Sequence, residues 1–550
     1  MKKAKKLVAG LLACSMLGTM GIAQAVVSTP LSVDAAVDTN NDDWLHTVGN
    51  KIVDKNGNQV WLTGANWFGF NCSECFPHGL WSADMSDTLK ACADHGINIL
   101  RIPVSTELLY TWMVGKPAEC SGLNPSNNPY AIRNPELCNE VGSAMDSLGV
   151  FDVMLKYCKE YGIKVLVDVH SPDANNSGHN YELWYGKDFA GITAETAGVT
   201  CTTEIWIETW CWLAERYKND DTLIALDLKN EPHGKRGYKP EVPADLSRWD
   251  DSTAENNWKY AAETCANEIL KINPNVLILV EGIEQYPADG YTTNDPDVWE
   301  APSGKFWWGA WWGGNLRGVK DYPLNLGANQ DQLVYSPHDY GPLVYNQKWF
   351  ANDFTTQTLL DDYWYGSWAY INEENIAPLL IGEWGGTLDG GKNEQWMNLI
   401  RDYMKDNVIH HTFWCLNPNS GDTGGLLSYD FVTWDEEKYS ILEKALWQND
   451  SGKYIGLDHQ TPLGDNGLSL SQYYGSAPPI IVDPPTFVPG DVTGDGKVNV
   501  QDVAKLAKAA LNLVTLTDTE KKAGDVTGDG KINVQDVAKV AKAALGKITL

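Results

Sequence analysis

The chain has 550 residues, 43% of them apolar, and a formal charge of −30 from 42 basic and 72 acidic side chains. That is more chain than one ordinary domain uses and enough apolar material for a large core, which excludes wholesale disorder. The acidity leaves no basic footprint for nucleic acid or an anionic membrane, while 24 Trp and 24 Tyr fit either an aromatic core or a cleft whose flat rings stack on the apolar face of sugars.

Residues 1–36 read as a secretory signal. Lys2, Lys3, Lys5 and Lys6 precede an apolar stretch from Leu7 to Ala25, and small residues offer cleavage after Ala25 or near Ala35–Ala36. Cys14 follows Leu-Leu-Ala like a lipoprotein site but lies inside that stretch and leaves with it. The other cysteines are scattered through a large domain, which is no small disulfide scaffold. One or two structural disulfides are expected outside the cell, with no pairing legible. Cys72-Ser-Glu-Cys75 has no second such pair and no His pair nearby, so zinc is not expected. No later run of about 18 apolar residues exists to span a bilayer.

Residues 37–475 form the main domain. Eight apolar runs read as strands: Val60–Phe70, Ile97–Val104, Lys164–His170, Ile224–Glu231, Val276–Gly282, Leu333–Tyr340, Pro378–Gly385 and His411–Pro418. Most are continuously apolar, as strands buried on both faces are. Helical patterns lie between them at Met85–His95, Met145–Tyr161, Thr203–Tyr217, Asn257–Ile272 and Glu394–Asp406. Eight alternating units predict an α/β fold, a (β/α)8 TIM barrel with long loops. A doubly wound open sheet is the alternative, but no glycine-rich phosphate fingerprint follows the first strand.

Prolines 478, 479, 484, 485 and 489 mark residues 476–489 as a stiff linker. Residues 490–550 then hold an internal repeat. Asp491-Val-Thr-Gly-Asp-Gly-Lys-Val-Asn-Val-Gln-Asp502 recurs 34 residues later as Asp525–Asp536, and each copy runs into a helix, Val503–Leu511 or Val537–Leu545. The pattern fits a calcium loop except at its third position, and it ends on Asp rather than Glu. Expected ligands are Asp491, Asp495, Asn499 and Asp502 in one loop, and Asp525, Asp529, Asn533 and Asp536 in the other. Lys497 and Lys531 offer carbonyls, Thr493 and Thr527 occupy the divergent position, and Gly496 and Gly530 make the sharp turns. Two calcium ions are expected, in a small all-α module.

In such a barrel the active site gathers where strands end. Arg101, His170, Asn230, Glu231, His338, Tyr340, Glu383 and Trp414 end or closely follow apolar runs. Any one of them has a bland structural explanation, but six of eight strands sending such a group to one rim does not. Glu231 and Glu383 offer the two carboxylates that glycosidic cleavage needs. A divalent-metal site would want more ligands than His170 and His338 add.

Leu228-Lys-Asn-Glu-Pro-His233 and Leu380-Ile-Gly-Glu-Trp-Gly385 resemble the acid/base and nucleophile motifs of glycoside hydrolase family 5. Arg101-Ile-Pro, Asp168-Val-His170, His338-Asp-Tyr340 and Phe413-Trp414 extend the resemblance. His78-Gly-Leu-Trp81, Trp311-Trp-Gly-Gly-Asn315 and Asn417-Pro-Asn-Ser-Gly-Asp-Thr-Gly-Gly425 look like its bacterial endo-β-1,4-glucanase branch, over roughly residues 40–450. The resemblance implies Glu231 as acid/base, Glu383 as nucleophile, a retaining reaction and no catalytic cofactor. Arg101 is then expected to hold Glu383 ionised, and that charge to keep Glu231 protonated. Asn230 is expected at the sugar 2-hydroxyl, Tyr340 at the nucleophile, His338 at the acid/base and His170 at sugar hydroxyls. Trp414 would floor the cleavage subsite, Trp81 beside His78 would stack a non-reducing-side sugar, and Trp311 or Trp312 with Tyr345 would line the leaving-group side. The loop repeat, with one helix per loop, resembles a type I dockerin. It implies a cohesin partner on a cellulosome-like scaffold, with Val500-Gln501 and Val534-Gln535 helping to choose it. The substrate implied is cellulose. Mannan, xyloglucan or mixed-linkage glucan, or a non-catalytic glycan-binding subunit, are the alternatives to this secreted enzyme with a monomeric catalytic unit.

Overall fold

The computed structural model describes residues 42–138, 143–174, 183–235, 245–300, 304–475, 489–494, 497–511, 513–527, 531–545 and 547. The expected signal segment with Cys14, linker residues 476–488, and Asp495, Gly496, Asp529 and Gly530 lie outside the described residues.

All eight predicted strands are present: β1 (Thr63–Asn66), β2 (Ile99–Ser105), β3 (Lys164–Ser171), β4 (Leu223–Asp227), β5 (Leu277–Val280), β6 (Leu333–Tyr335), β7 (Leu380–Trp384) and β8 (His410–Phe413). They pair in parallel in the order β6-β5-β4-β3-β2-β1-β8-β7. Parallel bridges from Tyr335 to Leu379 and from His338 to Glu383 join the two ends, which closes the ring. Several strands are shorter than their apolar runs, because burial continues into the flanking loops where the ladder stops. β6 is the clearest case: Pro337, with no N–H to give, follows it closely. Gly64 in β1 is forced by a close approach, since a Cβ there would lie 1.7 Å from the Ile99 carbonyl oxygen.

The helices α1 (Met85–Asp94), α2 (Ser147–Glu160), α3 (Thr203–Tyr217), α4 (Trp258–Ile272) and α5 (Lys392–Asp406) lie where the amphipathic pattern puts them. The first four start on a side chain that accepts a first-turn N–H: Asp84, Asp146, Thr202 and Asn257. Asn257, read from sequence as helical, is thus the cap.

Strand alternation sorts the residues. Leu100, Ile102, Val165, Val167, Val169, Ile278 and Val280 join the large cluster between sheet and helices. Ile99, Leu166, Ala225, Leu277, Leu279, Val334 and Leu380 join a separate cluster with Leu45, Ile52 and Trp447. Two residues beyond members of that second set, the same side of each strand turns polar and still buried: Arg101, Asp168, Asp227, Glu281 and Ser336. The period of two therefore stacks an apolar floor under a polar mouth.

The opposite end is sealed by ions. Buried Lys164 lies 2.7 Å from Asp43, 3.3 Å from Asp458 and 3.7 Å from Asp221. His459 bridges Asp43 at 2.5 Å and Asp54 at 3.1 Å. These contacts tie both ends of the domain to the barrel.

The ten described cysteines are all unpaired thiols, so the expected disulfide is not formed among the described residues. A core this large does not need the cross-links on which small secreted scaffolds depend. Among the described residues no helix is long and apolar enough to cross a membrane. In the C-terminal module, α7 (Val500–Ala510), α8 (Asp518–Gly524) and α9 (Val534–Ala544) enclose Val492, Leu506, Leu516 and Val540; α6 is the barrel-domain helix Glu436–Glu443. Helices α7 and α9 start three residues earlier than predicted. Asn499 and Asn533 cap them, each in a reciprocal box with Asp502 or Asp536, so expected calcium ligands also begin the helices.

The ionic seal generates a stability prediction. Burial alone would lower the His459 pKa, but hydrogen bonds to Asp43 and Asp54 carry it up to about 9. A histidine raised in this way stabilises fully below its unfolded value, ~6.5, and the contribution is lost as pH rises through the folded value. The unfolding temperature should fall between about pH 7 and pH 10, and His459→Gln should flatten that fall. Equal slopes for the two proteins would refute the assignment.

Candidate active site

The mouth is organised around Arg101, which is fully buried. Its Nη1 donates to Glu383 Oε1 at 3.0 Å and to Asn66 Oδ1 at 3.0 Å. Its Nη2 donates to Asn230 Oδ1 at 3.0 Å and Glu281 Oε1 at 3.1 Å, and lies 3.2 Å from Asp168. Its Nε donates to Asp227 at 3.1 Å. Asp168, Asp227 and Glu281 could be taken for a cation cage, but the guanidinium already fills that place.

Glu383 lies at the inner end of the mouth. Tyr340 donates its hydroxyl to Glu383 Oε2 at 2.6 Å, and His338 Nδ1 lies 3.5 Å from the same oxygen. Glu231 has φ of +44°, its amide N–H donates to Glu281 Oε2 at 2.7 Å, and His338 Nδ1 lies 3.0 Å from its Oε1. One carboxylate oxygen each from Glu231 and Glu383, with a nitrogen of His338, fall within 4.8 Å of one another.

The two carboxyls differ in charge. Burial pushes Glu231 up, the Glu383 charge pushes it further, and the hydrogen bond with His338 only partly offsets this. The expected contribution of the Glu383 charge is thus present, with desolvation as the larger cause. Burial would raise Glu383 too, but the charges of His338 and Arg101 outweigh it and hold that carboxyl below its usual range. His338 is itself held well above the ordinary histidine value: burial opposes this, and Glu281 and Glu383 override it.

The other expected residues divide. His170 is buried, bonded through Nδ1 to Asp168 at 2.8 Å, and its ring stacks with Trp414 at 5.4 Å. Trp414, half-buried, also stacks with Phe68 at 5.6 Å. His78 is buried, with Glu74 and Asn419 on its two ring nitrogens, and packs 5.0 Å from half-buried Trp81. Trp311 is buried edge-on to Tyr340 at 6.0 Å, whereas Trp312 stays half-buried, stacked 3.7 Å from His233. Tyr345 is 65% exposed. Sequence reasoning missed Glu281, Asp227 and Asn66 as members of the site. Glu281 carries the signal that flagged Glu231, a charged residue closing an apolar run.

In the C-terminal loops, Asp491 accepts the Gly494 N–H at 2.7 Å. The Thr493 hydroxyl donates to Asp502 at 2.7 Å, and that of Thr527 to Asp536 at 2.8 Å. Each threonine thus braces the last acidic residue of its loop instead of adding a carboxylate. The donors that remain, Asp491, Asn499, Asp502 and their repeats with the lysine carbonyls, are all oxygen, which fits calcium.

A barrel mouth that brings two carboxyl oxygens within 4.8 Å of one another, one group pushed up and the other held low, fits a retaining glycoside hydrolase. The chain belongs to the cellulase family, glycosyl hydrolase family 5, whose profile matches residues 53–420. A type I dockerin domain matches residues 489–545. Endoglucanase G of Acetivibrio thermocellus is 58% identical over 528 residues, 92% of each chain. Endoglucanase B of the same organism is 43% identical over 551 residues, 93% of each. The solved hyperthermophilic endocellulase of Pyrococcus horikoshii is 32% identical with a TM-score of 0.58, covering 74% of this chain and 98% of its own.

Proposed function

We propose that this protein is a secreted endo-β-1,4-glucanase that cleaves internal bonds of cellulose by double displacement, attached by its dockerin to a cohesin-bearing scaffold. The observation that carries the reading is the asymmetry of the two adjacent carboxyls: Glu383 held below its usual range by His338 and Arg101, Glu231 pushed above it by burial. Glu383 attacks the anomeric carbon while Glu231 gives its proton to the departing glycosidic oxygen. The resulting ester is opened by a water whose proton Glu231 takes back. Tyr340 fixes the nucleophile's oxygen, and Asn230, held by Arg101, faces the 2-hydroxyl. His170 serves sugar hydroxyls and Trp414 floors the cleavage subsite. Trp81, braced by His78, stacks the non-reducing side, while Trp312 and exposed Tyr345 serve the leaving-group side, with Trp311 packed behind Tyr340. No cofactor enters the chemistry, and the catalytic unit works as a monomer without nucleic acid or membrane. Hydrolysis of carboxymethylcellulose with a rapid loss of viscosity is expected, with less on mannan, xylan and xyloglucan. A chain hydrolysing mannan or xyloglucan preferentially would reverse the substrate, and the absence of new reducing ends on all of them would leave only a binding subunit.

The roles separate with an activated aryl glycoside, whose leaving group needs little acid help. Azide should rescue Glu231→Gln to give a β-glycosyl azide and leave Glu383→Gln inactive. A β-glycosyl azide formed by Glu383→Gln instead would exchange the two roles.

For the tail, we infer that two calcium ions, one per loop, fold residues 490–550 as an independent unit, because each loop's carboxylates repel until a cation neutralises them. Val500 and Val534, 75% and 74% exposed at matching helix starts, suit a cohesin contact used from either repeat. Calorimetry of the full chain should show a transition that chelator removes, with release from a cohesin scaffold while hydrolysis of soluble substrate continues. A transition indifferent to chelator would refute the calcium reading alone.

A further inference from the structure

A third buried glutamate at the mouth has no task in this reaction. Glu281 follows β5 two residues beyond Leu279, on the inward side, and is fully buried. Its Oε2 accepts the Glu231 backbone N–H at 2.7 Å. Its Oε1 accepts from Arg101 Nη2 at 3.1 Å and lies 3.2 Å from His338 Nε2. Asp168 and Asp227 complete its charged surroundings. The chain opposite is shaped to admit it: at Gly313, φ +72°, a Cβ would lie 2.4 Å from Oε2.

Two features of the site need what this carboxylate supplies. Glu231 sits in left-handed backbone space, which a residue with a side chain holds only when its surroundings impose it. A charge-assisted hydrogen bond to its own amide is such a constraint. His338 meanwhile stands between carboxyls on both sides, with Nδ1 near Glu231 and Glu383 and Nε2 near Glu281. A carboxylate beside Nε2 favours a proton there, and the donor role of Nδ1 then requires a second.

We propose that Glu281 positions this reaction without touching substrate: one oxygen clamps the Glu231 backbone, and the other holds His338 with its Nδ1–H turned toward the two working carboxyls. The proposal rests on the roles assigned above to Glu231 and Glu383. His338, kept cationic chiefly by Glu281 against its own burial, then steadies Glu383 as an anion.

The test is Glu281→Gln in the full chain, which keeps an amide oxygen for the Glu231 N–H and removes only the charge. On a soluble cello-oligosaccharide, kcat should fall roughly 10- to 100-fold with little change in KM. The deficit should deepen as pH rises through about 6.5, where an unsupported histidine loses its proton. The His338 ring titration, followed by NMR of 15N-histidine-labelled protein, should move down in the variant. Glu281→Asp should restore that titration but recover only part of kcat, because the shorter side chain does not span to the Glu231 amide. Wild-type kcat with an unmoved His338 titration in Glu281→Gln would overturn the proposal. Should that variant fail to fold, full kcat in Glu281→Asp would overturn it instead. Glu383→Gln run alongside separates the two levels: if it is dead while Glu281→Gln is normal, only the positioning role falls, and if it is active, the underlying assignment falls.

Discussion

One unsolvated cation sets the terms for the rest of the mouth. A guanidinium with no exposure to water is tolerable only where its donors are matched, since an uncompensated buried charge costs several kcal/mol. From β2, Arg101 reaches Asn66 at the end of β1, Asp168 on β3, Asp227 at the end of β4 with Asn230 after it, Glu281 after β5 and Glu383 on β7. Six strand ends therefore converge on one planar group, and its fork geometry fixes their positions in a way a lysine's point charge would not. Glu383 is held by the same contacts that hold the barrel's top together.

The excess of carboxylates around that cation pushes their affinities for a proton apart. Burial, followed by the charge of Glu281, pushes Asp227 well above its usual range, whereas Asp168 is lowered because Arg101 and His170 together outweigh its burial. Contact with the cation does not decide the direction alone, since Asp227 also faces Arg101. Glu231, pushed up by burial, and Glu383, held low by His338 and Arg101, differ in the direction that the proposed double displacement uses.

How much of this was legible follows from what each inference needs. Buried parallel strands leave continuous apolar runs, so the barrel and the rim positions of Arg101, Glu231 and Glu383 could be read from the chain alone. Glu281 ends its run just as Glu231 does, yet its worth lies in contacts to residues 180 and 57 positions away in sequence, and no local pattern records those. Desolvation as the leading cause of the Glu231 shift is likewise a property of the closed mouth. Between Trp311 and Trp312 the sequence offered no choice, because Trp311 is covered by Tyr340, which packs on it from the loop after β6. In the tail, Asp502 and Asp536 read as loop ligands only, and their capping role displaced both helix starts by a turn.

The two parts of the chain use carboxylates under opposite constraints, and this keeps their functions separable. At the barrel mouth the compensating cations are side chains, covalently present and enclosed, so the charge pattern exists as soon as the barrel closes. In the dockerin loops the built-in partners are weaker: threonine hydroxyls and backbone amides bond Asp502 and Asp536, which orients the acids without neutralising them. Their completion depends on an ion from solution. The barrel mouth therefore carries its compensating charges within the fold, while the dockerin loops leave theirs to an ion from solution.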